Sequence, residues 1–406
     1  GTNLSGGSEW QSSLLKYHKI FGARPAPTND NTHQYGYECY LERSHNSQLQ
    51  ENELQNVSRY ALPPMTAPSS TYMKLLFAET EDRAFLSHRL PMARAARDAG
   101  FEVHVATSVG SNADAIRDEG FTIHPMPFRR GGLSPFGAIS TIRALRRIKR
   151  ALSPSIVHHV GMQICVLGGV SSLGMTTPQV NAMTGLGYAF TSTAKRALLL
   201  RVVIAIALRF LLNRDHAVFL VQNPDDRAAL ETIGIYPNRL ARIPGSGGDT
   251  DKLTPMPEPD GPITVGFAGR LLTSKGIRAL VAAHRILRAS GVDVRLRIAG
   301  DPDLANPDSV SLEEAKQWNN EPGITWLGHV DDIASLWRDS HIAALPSHRE
   351  GLPKSLLEAA ACGRPIVASA LEGLKDAIYH TENGILVETG NANAFEAALG
   401  ELLADP

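Results

Sequence analysis

With 406 residues, the chain exceeds what one hydrophobic core usually serves, so its length predicts two domains. Hydrophobic residues make up 43% of it, charged residues make up 20%, and the formal net charge is -1. This composition indicates a globular protein and excludes a bulk affinity for nucleic acid. The three cysteines show no paired or metal-ligand spacing, which favours a reducing compartment. Because no secretory signal is recognisable, we expect a cytoplasmic protein.

Residues 1–72 differ in composition from the rest of the chain. They are rich in Ser, Asn, Gln and His and have no sustained apolar periodicity. Such a segment cannot bury enough surface to offset the entropy lost on ordering, so we expect a mostly disordered extension. A short helix over residues 8–21 and a small appended module are the alternatives.

From Met73 onward, strand-like and helix-like patterns alternate, which predicts a parallel sheet with helices on both faces. The first domain is expected at residues 73–245. Its predicted strands are residues 74–78, 102–106, 122–124, 156–159, 179–182, 217–221 and 241–244. Its predicted helices are residues 89–99, 136–152, 194–214 and 225–232. Residues 246–262 then interrupt the pattern with glycine, proline and acidic residues, as is typical of a linker.

The alternation restarts after the linker, which predicts a second domain at residues 263–406. Its predicted strands are residues 263–268, 294–299, 324–327 and 342–345. Its predicted helices are residues 275–290, 311–320, 331–338, 353–361 and 392–403. The sequence thus predicts an α/β protein with two Rossmann-like, doubly wound parallel-sheet domains and a ligand cleft at the carboxyl ends of the strands.

Residues 341–370, HIAALPSHREGLPKSLLEAAACGRPIVASA, carry the clearest chemical pattern. They predict a buried strand, a polar loop with Glu350, and a helix that begins near Pro353. Backbone amides converge at such a helix start and favour anions. Glu350 and Glu358 lie eight residues apart and can face one pocket, where a carboxylate can accept ribose hydroxyls. On spacing alone, the alternative is a helix cap and an ordinary loop charge.

A second pattern is GFAGR at residues 266–270, followed by Lys275. It ends the first strand of the second domain, where Gly269 allows a tight turn. Arg270 can bind two phosphate oxygens and Lys275 supplies a mobile positive charge. The alternative is a solvated loop between a strand and a helix. Downstream, DPD at residues 301–303 has the spacing of a metal motif but reads as an ordinary strand-end loop, so we expect no metal.

Three strand-end loops of the first domain contain candidate ligand-binding groups. The FLSHRLP loop holds His88 and Arg89, although Ser87 could simply cap a helix there. His159 ends the fourth strand, where we expect its side chain to point into the cleft. The MTGLGY loop allows close backbone approach to a ligand. Its candidate residues are Thr184, Gly185 and Gly187.

The string EGLPKSLLEAAACGRPIVAS resembles the donor-site signature of the retaining glycosyltransferases of family 4, which have the GT-B fold, and the Gly-Arg and Lys-Gly block resembles their diphosphate clamp. The resemblance spans the chain from about Met73. It implies transfer of a sugar from a nucleotide diphosphate sugar, expected to be UDP-linked, without a cofactor. The donor-binding residues it implies are Gly269, Arg270, Lys275, Glu350, Gly351, Leu352, Lys354 and Glu358.

The same resemblance implies individual roles. Arg270 and Lys275 would neutralise the leaving diphosphate, Glu350 would hold hydroxyls of the donor sugar, and Lys354 would meet the phosphates. The predicted catalytic residues are Glu350, Arg270, Lys275 and His159. The FLSHRLP loop resembles the first loop of the family, where acceptor and donor phosphates meet. The predicted acceptor-binding residues are His88, Arg89, Thr184, Gly185 and Gly187.

The MTGLGY string resembles family members that act on lipid-linked sugars. It implies a saccharide acceptor carried on polyprenyl diphosphate, in cell-surface polysaccharide assembly. Family members usually continue into a helix that crosses back to the first domain, and the chain ends at Pro406 without one, so we expect a truncated C-terminus.

Three rival functions stay open. A nucleotide-sugar epimerase or oxidoreductase would require G-x-G-x-x-G after the first strand, which is followed by no glycine here. A non-catalytic nucleotide-sugar-binding module would use the same cleft, so only activity separates it from an enzyme. A glycosyltransferase with a soluble acceptor is the third.

Residues 128–150 crowd positive charge into one loop and helix. The basic residues are Arg129, Arg130, Arg143, Arg146, Arg147, Lys149 and Arg150. Leu145, Ile148 and Leu152 recur at helical spacing and are expected to pack inward. One interpretation is an amphipathic core helix with a solvated basic face. The other places that face on anionic phospholipid at the inner face of the plasma membrane. Residues 198–212 are too short and too often interrupted by arginine to span a bilayer, and we expect a buried helix there.

Overall fold

The computed structural model describes residues 73–128, 134–185, 195–243, 245–304, 306, 308–375, 377–379 and 382–404. The predictions for residues 1–72 and for Gly187 lie outside these ranges. Within them the chain divides into two compact units, and the boundary falls after Ile243.

The first unit is a seven-stranded parallel sheet with the strand order β3-β2-β1-β4-β5-β6-β7 over the described residues. The strands are β1 (Met73–Glu81), β2 (Phe101–Ser108), β3 (Thr122–Pro125), β4 (Ile156–Val160), β5 (Gln179–Met183), β6 (Ala217–Val221) and β7 (Leu240–Arg242). The helices are α1 (Asp82–His88), α2 (Leu90–Asp98), α3 (Ala113–Asp118), α4 (Pro135–Leu152), α5 (Met162–Ser171), α6 (Lys195–Ala207) and α7 (Pro224–Ile233). A π-helical turn, Leu208–Leu212, continues α6. Residues 75–78 of β1 are fully buried because the central strand is covered on both faces.

The second unit is a six-stranded parallel sheet with the strand order β10-β9-β8-β11-β12-β13 in its described part. The strands are β8 (Thr264–Ala268), β9 (Arg295–Ala299), β10 (Ile324–Gly328), β11 (Ile342–Leu345), β12 (Ile366–Ser369) and β13 (Gly384–Val387). The helices are α8 (Ile277–Ala289), α9 (Leu312–Asn319), α10 (Ile333–Arg338), α11 (Lys354–Ala361) and α12 (Ala392–Ala404). Two doubly wound parallel sheets confirm the predicted α/β fold class.

Residues 246–262, read from the sequence as a linker, pack onto the second unit. Leu253 is buried in its core. Met256 N donates to the carbonyl of Cys362 (3.2 Å), and Arg364 Nη2 donates to the carbonyl of Pro257 (2.7 Å). The glycine and proline content of this segment predicted an irregular backbone, but it did not predict that the segment packs against the second unit.

The sequence predicted a buried helix at residues 198–212. This prediction is wrong for most of the large apolar side chains that the structure describes in this range. Leu199, Val203 and Phe210 are among the most exposed large apolar side chains of the protein, whereas Leu208 and Leu212 are buried. An apolar run predicts burial only on the face that meets the sheet. Within the described segments, no helix combines the length and hydropathy needed to cross a membrane.

Helix α5 lies so close to β4 that only a glycine fits at one contact. A Cβ on Gly168 would lie 2.4 Å from Cδ2 and Nε2 of His159. Overpacking of this kind costs about 1–3 kcal/mol, which exceeds the roughly 1 kcal/mol that alanine gains over glycine within a helix. We therefore expect Gly168→Ala to lower the free energy of unfolding, measured by chemical denaturation. Gly137→Ala in α4 is the control, because its new Cβ would come no closer than 3.8 Å to Ser134 Cβ. Equal losses in the two variants would contradict this packing.

Candidate functional site

The loops that follow β8 and β9 in the second unit are joined by backbone hydrogen bonds. Parallel neighbouring strands place their carboxyl ends at the same edge of a sheet, which is where ligands bind in doubly wound folds. Leu271 N donates to the carbonyl of Asp301 (3.0 Å), and Val310 N donates to the carbonyl of Leu271 (2.9 Å). The loop that carries Gly269 and Arg270 is therefore held in place by the loop after β9.

Gly276 brings the loop after β8 against the loop after β11. Its φ is 69°, and a Cβ at this position would lie 1.9 Å from the carbonyl oxygen of Pro346, so no other residue fits without a backbone shift. Nearby, His348 N donates to the carbonyl of Ser274 (2.8 Å). These contacts hold Lys275, the residue before the glycine, beside the loop that contains Glu350.

Lys275 and Glu350 form an ion pair in which Nζ donates to Oε1. The hydroxyl of the buried Ser347 donates to the same oxygen (2.7 Å). The Glu350 side chain is only 9% exposed and that of Lys275 is 23% exposed. Among the residues that the structure describes, no donor reaches Oε2 of Glu350. The carboxylate is thus positioned through one oxygen and can accept a ligand hydroxyl on the other.

Glu358 lies in the second turn of α11 and faces a cation on the first. Lys354 Nζ lies 3.0 Å from Oε1 of Glu358, four residues along the helix. Burial raises the pKa of Glu358, and the positive charge of Lys354 partly offsets this rise.

Sequence reasoning missed the run GSGG at residues 245–248, which lies against this helix. A Cβ on Gly248 would lie 3.8 Å from Glu358 N, and the glycine run itself was the available signal.

Arg270 lies on the neighbouring loop and pairs with an acid of its own. Its Nη1 donates to Oδ2 of Asp303 (2.7 Å), and Asp303 N donates to the hydroxyl of Ser309 (2.8 Å). The guanidinium stays largely exposed. Asp303, weighed from the sequence as half of a metal motif, is therefore an ion-pair partner. In the described ranges, no group of three His, Cys, Asp or Glu side chains is arranged to hold a metal ion.

The structure thus brings together most of the predicted donor residues at one edge of the second sheet. Gly269 turns directly after β8, and its N–H donates to the carbonyl of Ala299 (3.0 Å). Gly351 and Leu352 connect Glu350 to the start of α11. Three cations and three carboxylates meet here as pairs. The pairs are Lys275 with Glu350, Lys354 with Glu358, and Arg270 with Asp303.

His159 is placed differently from the prediction that it points into a cleft. Its side chain is fully buried beneath α5. Nδ1 donates to Oδ1 of Asn181 (2.9 Å), and Nε2 lies 2.9 Å from Nζ of Lys149. Burial lowers the pKa of His159 well below its usual value, so the ring is neutral. A neutral ring with both nitrogens bonded inside the core cannot reach a substrate, and we do not retain it as a catalytic candidate.

Lys149 also departs from its predicted place on the exposed basic face of α4. Its ammonium is buried and contacts only neutral acceptors within the described part of the chain. These acceptors are His159 Nε2, the Gly168 carbonyl, Ser171 Oγ and Ser172 Oγ, at 2.7–2.9 Å. Burial, helped by the charge of Arg146, lowers the pKa of Lys149 to about 7. The sequence prediction grouped Lys149 with the exposed basic residues because of its charge alone.

The predicted acceptor residues occupy two strand-end regions of the first unit. His88 is exposed at the end of α1, and buried Arg89 lies between α1 and α2. Thr184 is exposed directly after β5, and Gly185 follows it with a φ of 101°. The proposed Ser87 cap is wrong, because Ser87 lies inside α1.

Glu79, at the carboxyl end of β1, is a candidate that sequence reasoning missed. Its carboxylate is buried, and Thr80 donates to Oε1 from both N (2.9 Å) and Oγ1 (3.2 Å). Burial raises the pKa of Glu79, and the nearby charge of Arg89 opposes the rise. An acid directly after a run of buried apolar residues was the signal for it.

Comparison with known proteins agrees with this geometry. Residues 74–223 match the family described as glycosyl transferase 4-like, and residues 262–405 match glycosyl transferases group 1. An N,N'-diacetylbacillosaminyl-diphospho-undecaprenol alpha-1,3-N-acetylgalactosaminyltransferase of Campylobacter jejuni is 26% identical over 79% of this chain and 89% of its own length. A D-inositol 3-phosphate glycosyltransferase of Corynebacterium urealyticum is 31% identical over 47% of this chain and 50% of its own length.

Solved structures share the fold. The Anabaena protein HepE, crystallised with UDP-glucose, has a TM-score of 0.65 at 17% identity and covers 82% of this chain and 90% of its own. Sucrose-phosphate synthase from Thermosynechococcus elongatus has a TM-score of 0.67 at 18% identity with the same coverage. The two sheets share the GT-B fold of these structures. The matches of residues 74–223 and 262–405 are both to glycosyltransferase families and together cover most of the chain, which is therefore a glycosyltransferase similar to family 4.

The buried ammonium of Lys149 makes stability depend on pH. In the unfolded chain this lysine holds its proton up to about pH 10.4, whereas the folded protein releases it near pH 7. The unfolded state therefore binds more protons above about pH 7, and the free energy of unfolding should rise with pH by up to about 1.4 kcal/mol per unit. We expect this slope between about pH 7 and 8.5 in denaturation curves of the wild type, and its loss in Lys149→Met. Equal slopes in both proteins would contradict the burial of an unpaired lysine.

Proposed function

We propose that the protein transfers a sugar, with retention of anomeric configuration, from a UDP-linked donor to a saccharide carried on polyprenyl diphosphate. The observation that carries the proposal is the pair of Lys275 and Glu350, set beside the pair of Lys354 and Glu358 in the matched family domain. Together they offer cations for a diphosphate and carboxylates for hydroxyl groups within one group of loops.

The donor diphosphate exchanges partners with the existing ion pairs. A phosphate oxygen that approaches Lys275 or Lys354 replaces the carboxylate now bound to that ammonium. Arg270, largely exposed, turns its planar fork from Asp303 to the phosphates. Each charge-assisted hydrogen bond of this kind contributes about 1.5–3 kcal/mol, and the side chains of Lys275 and Lys354 are already partly desolvated in the free protein.

The released carboxylates then bind the neutral parts of the donor. Glu358, held in the second turn of α11, accepts the ribose hydroxyls. Glu350 accepts hydroxyls of the transferred sugar, through Oε2 from the start and through Oε1 once Lys275 has moved. Ser347 keeps its hydrogen bond to Glu350 and so preserves the direction of the carboxylate.

In the transfer step, the bond between the anomeric carbon and the phosphate oxygen breaks, and its electron pair stays on the nucleotide diphosphate. The acceptor oxygen forms the new bond on the same face of the sugar, and its proton passes to the departing phosphate oxygen. Negative charge grows on the diphosphate as the bond breaks. Lys275 and Arg270 stabilise that charge more strongly in the transition state than in the bound donor.

The acceptor belongs to the first unit in this proposal. His88, Arg89, Thr184 and Gly185 supply polar groups at its strand ends, with Gly187 outside the described residues. The Campylobacter relative carries undecaprenol diphosphate in the name of its acceptor, which supports a lipid-linked saccharide. We further propose a role in cell-surface polysaccharide assembly and a peripheral position on the cytoplasmic face of the membrane. A soluble polyol phosphate is the second candidate acceptor, favoured by the Corynebacterium relative.

Removal of the Glu358 carboxylate should weaken nucleotide binding. A charged hydrogen-bond partner in a buried site contributes on the order of 1.5–3 kcal/mol, so we expect Glu358→Ala to bind UDP about ten- to a hundredfold more weakly in calorimetric titration. Glu321→Ala removes a partly exposed glutamate paired with Arg285, outside the candidate site, and serves as the control with unchanged affinity. Wild-type affinity in Glu358→Ala would refute the ribose assignment.

Transfer should proceed without a divalent metal, because lysine and arginine side chains meet the diphosphate charge. We expect the rate of sugar transfer from UDP-sugar to a polyprenyl-diphosphate saccharide to be unchanged by excess chelator. A rate that falls in chelator and returns on addition of Mg²⁺ or Mn²⁺ would show instead that a metal ion takes part.

A further inference from the structure

Helix α6 and the π-helical turn after it present an apolar face to solvent. The residues recur at helical spacing, with 46–69% of each side chain exposed. They are Leu198, Leu199, Val202, Val203, Ile206 and Phe210. Soluble proteins rarely expose a contiguous patch of this kind unless it has a partner. The residues given above to the donor and acceptor sites do not include any part of this face.

The surrounding sequence is free of acidic residues over a long distance. From Gly120 to Arg214 the chain contains no aspartate or glutamate, whereas it contains twelve lysines and arginines. The whole chain has a formal net charge of -1, so positive charge is concentrated in this part of the first unit. Any partner that carries cations there is disfavoured by repulsion.

Helices α4, α5 and α6 form one layer of the first unit, because α5 packs against both α4 and the π-helical turn. The outer face of α4 exposes Arg143, Arg147 and Arg150. At its start, Phe136 is 84% exposed and Ile139 is also exposed. Basic side chains on α4 and apolar side chains on α6 therefore belong to the same layer.

We propose that this layer binds an anionic phospholipid surface, with the apolar face of α6 inserted at the boundary between headgroups and acyl chains. The arginines of α4 and Arg209 at the end of α6 then lie among lipid phosphates. Interfacial helices combine these two properties, an apolar face and flanking cations without acids. The helix need not cross the bilayer to bind in this way.

The arginines of α4 and the apolar face of α6 together favour lipid over other partners. Nucleic acid would neutralise the arginines but would leave the six apolar side chains of α6 and the π-helical turn in water. A second copy of the chain, bound through the same face, would place cations against cations in a symmetric contact. Anionic phospholipid satisfies both the apolar and the charged groups.

The test measures sedimentation of the full chain with vesicles, without donor or acceptor, so its outcome is independent of the proposed reaction. The vesicles contain phosphatidylcholine alone or an equal mixture with phosphatidylglycerol, at low and high salt. We expect binding to the mixed vesicles that weakens as salt rises. We expect the double variant Leu199→Glu, Val202→Glu to lose at least about tenfold in partition coefficient at low salt.

Two further variants keep the test decisive. Arg143→Gln, Arg147→Gln and Arg150→Gln together should reduce binding to mixed vesicles and flatten its salt dependence. Ile286→Glu, an exposed aliphatic residue of α8 in the second unit, is the matched control with unchanged binding. Thermal unfolding of each variant verifies its folding.

Several outcomes would overturn the proposal. These are equal binding to both vesicle types, wild-type binding by the α6 double variant while it remains folded, and binding to nucleic acid in place of vesicles. A dimer in solution that the α6 double variant abolishes, without vesicle binding by the wild type, would assign the face to a second copy of the chain.

Discussion

The candidate donor site depends on the contact between Gly276 and Pro346. No side chain fits between that glycine and the carbonyl of Pro346, so the loop after β8 and the loop after β11 meet backbone to backbone. The contact places Lys275 beside Glu350, and buried Ser347 donates a second hydrogen bond to the same carboxylate oxygen. Lys275 and Glu350, which are 75 positions apart in the sequence, thus form one ion pair.

Paired charges let the site exist before its ligand arrives. A buried carboxylate without a partner would shift its pKa and lose its charge, as the raised pKa of Glu358 illustrates even beside Lys354. Each cation satisfies a carboxylate in the free protein, and in the proposed donor complex it binds a phosphate while the carboxylate binds a hydroxyl. The proposal thus assigns two ligand chemistries, a diphosphate and a polyol, to the same sheet edge.

The fold, and the placement of the candidate donor residues at one sheet edge, were predictable because both follow local rules. Strand β11 is an unbroken apolar run in the sequence. Glu350 in the loop and Glu358 in α11 are only eight residues apart, so one short loop and one helix determine their positions. The failures involve contacts distant in sequence. The burial of His159 depends on α5 lying close to β4, and that of Lys149 on neutral acceptors contributed by α5. The exposure of α6 depends on how much of that helix the sheet covers, which its mostly apolar sequence does not encode.

The central claim is that the paired loops of the second unit bind a nucleotide sugar and stabilise its leaving diphosphate. It is tested most directly by release of free nucleotide from a panel of nucleotide sugars, with and without a polyprenyl-diphosphate saccharide, for the wild type, Lys275→Met and Glu350→Gln. We predict release from a UDP-sugar that requires the acceptor and falls by about a hundredfold or more in both variants. Release at the wild-type rate in either variant, or no release from any donor, would contradict the account.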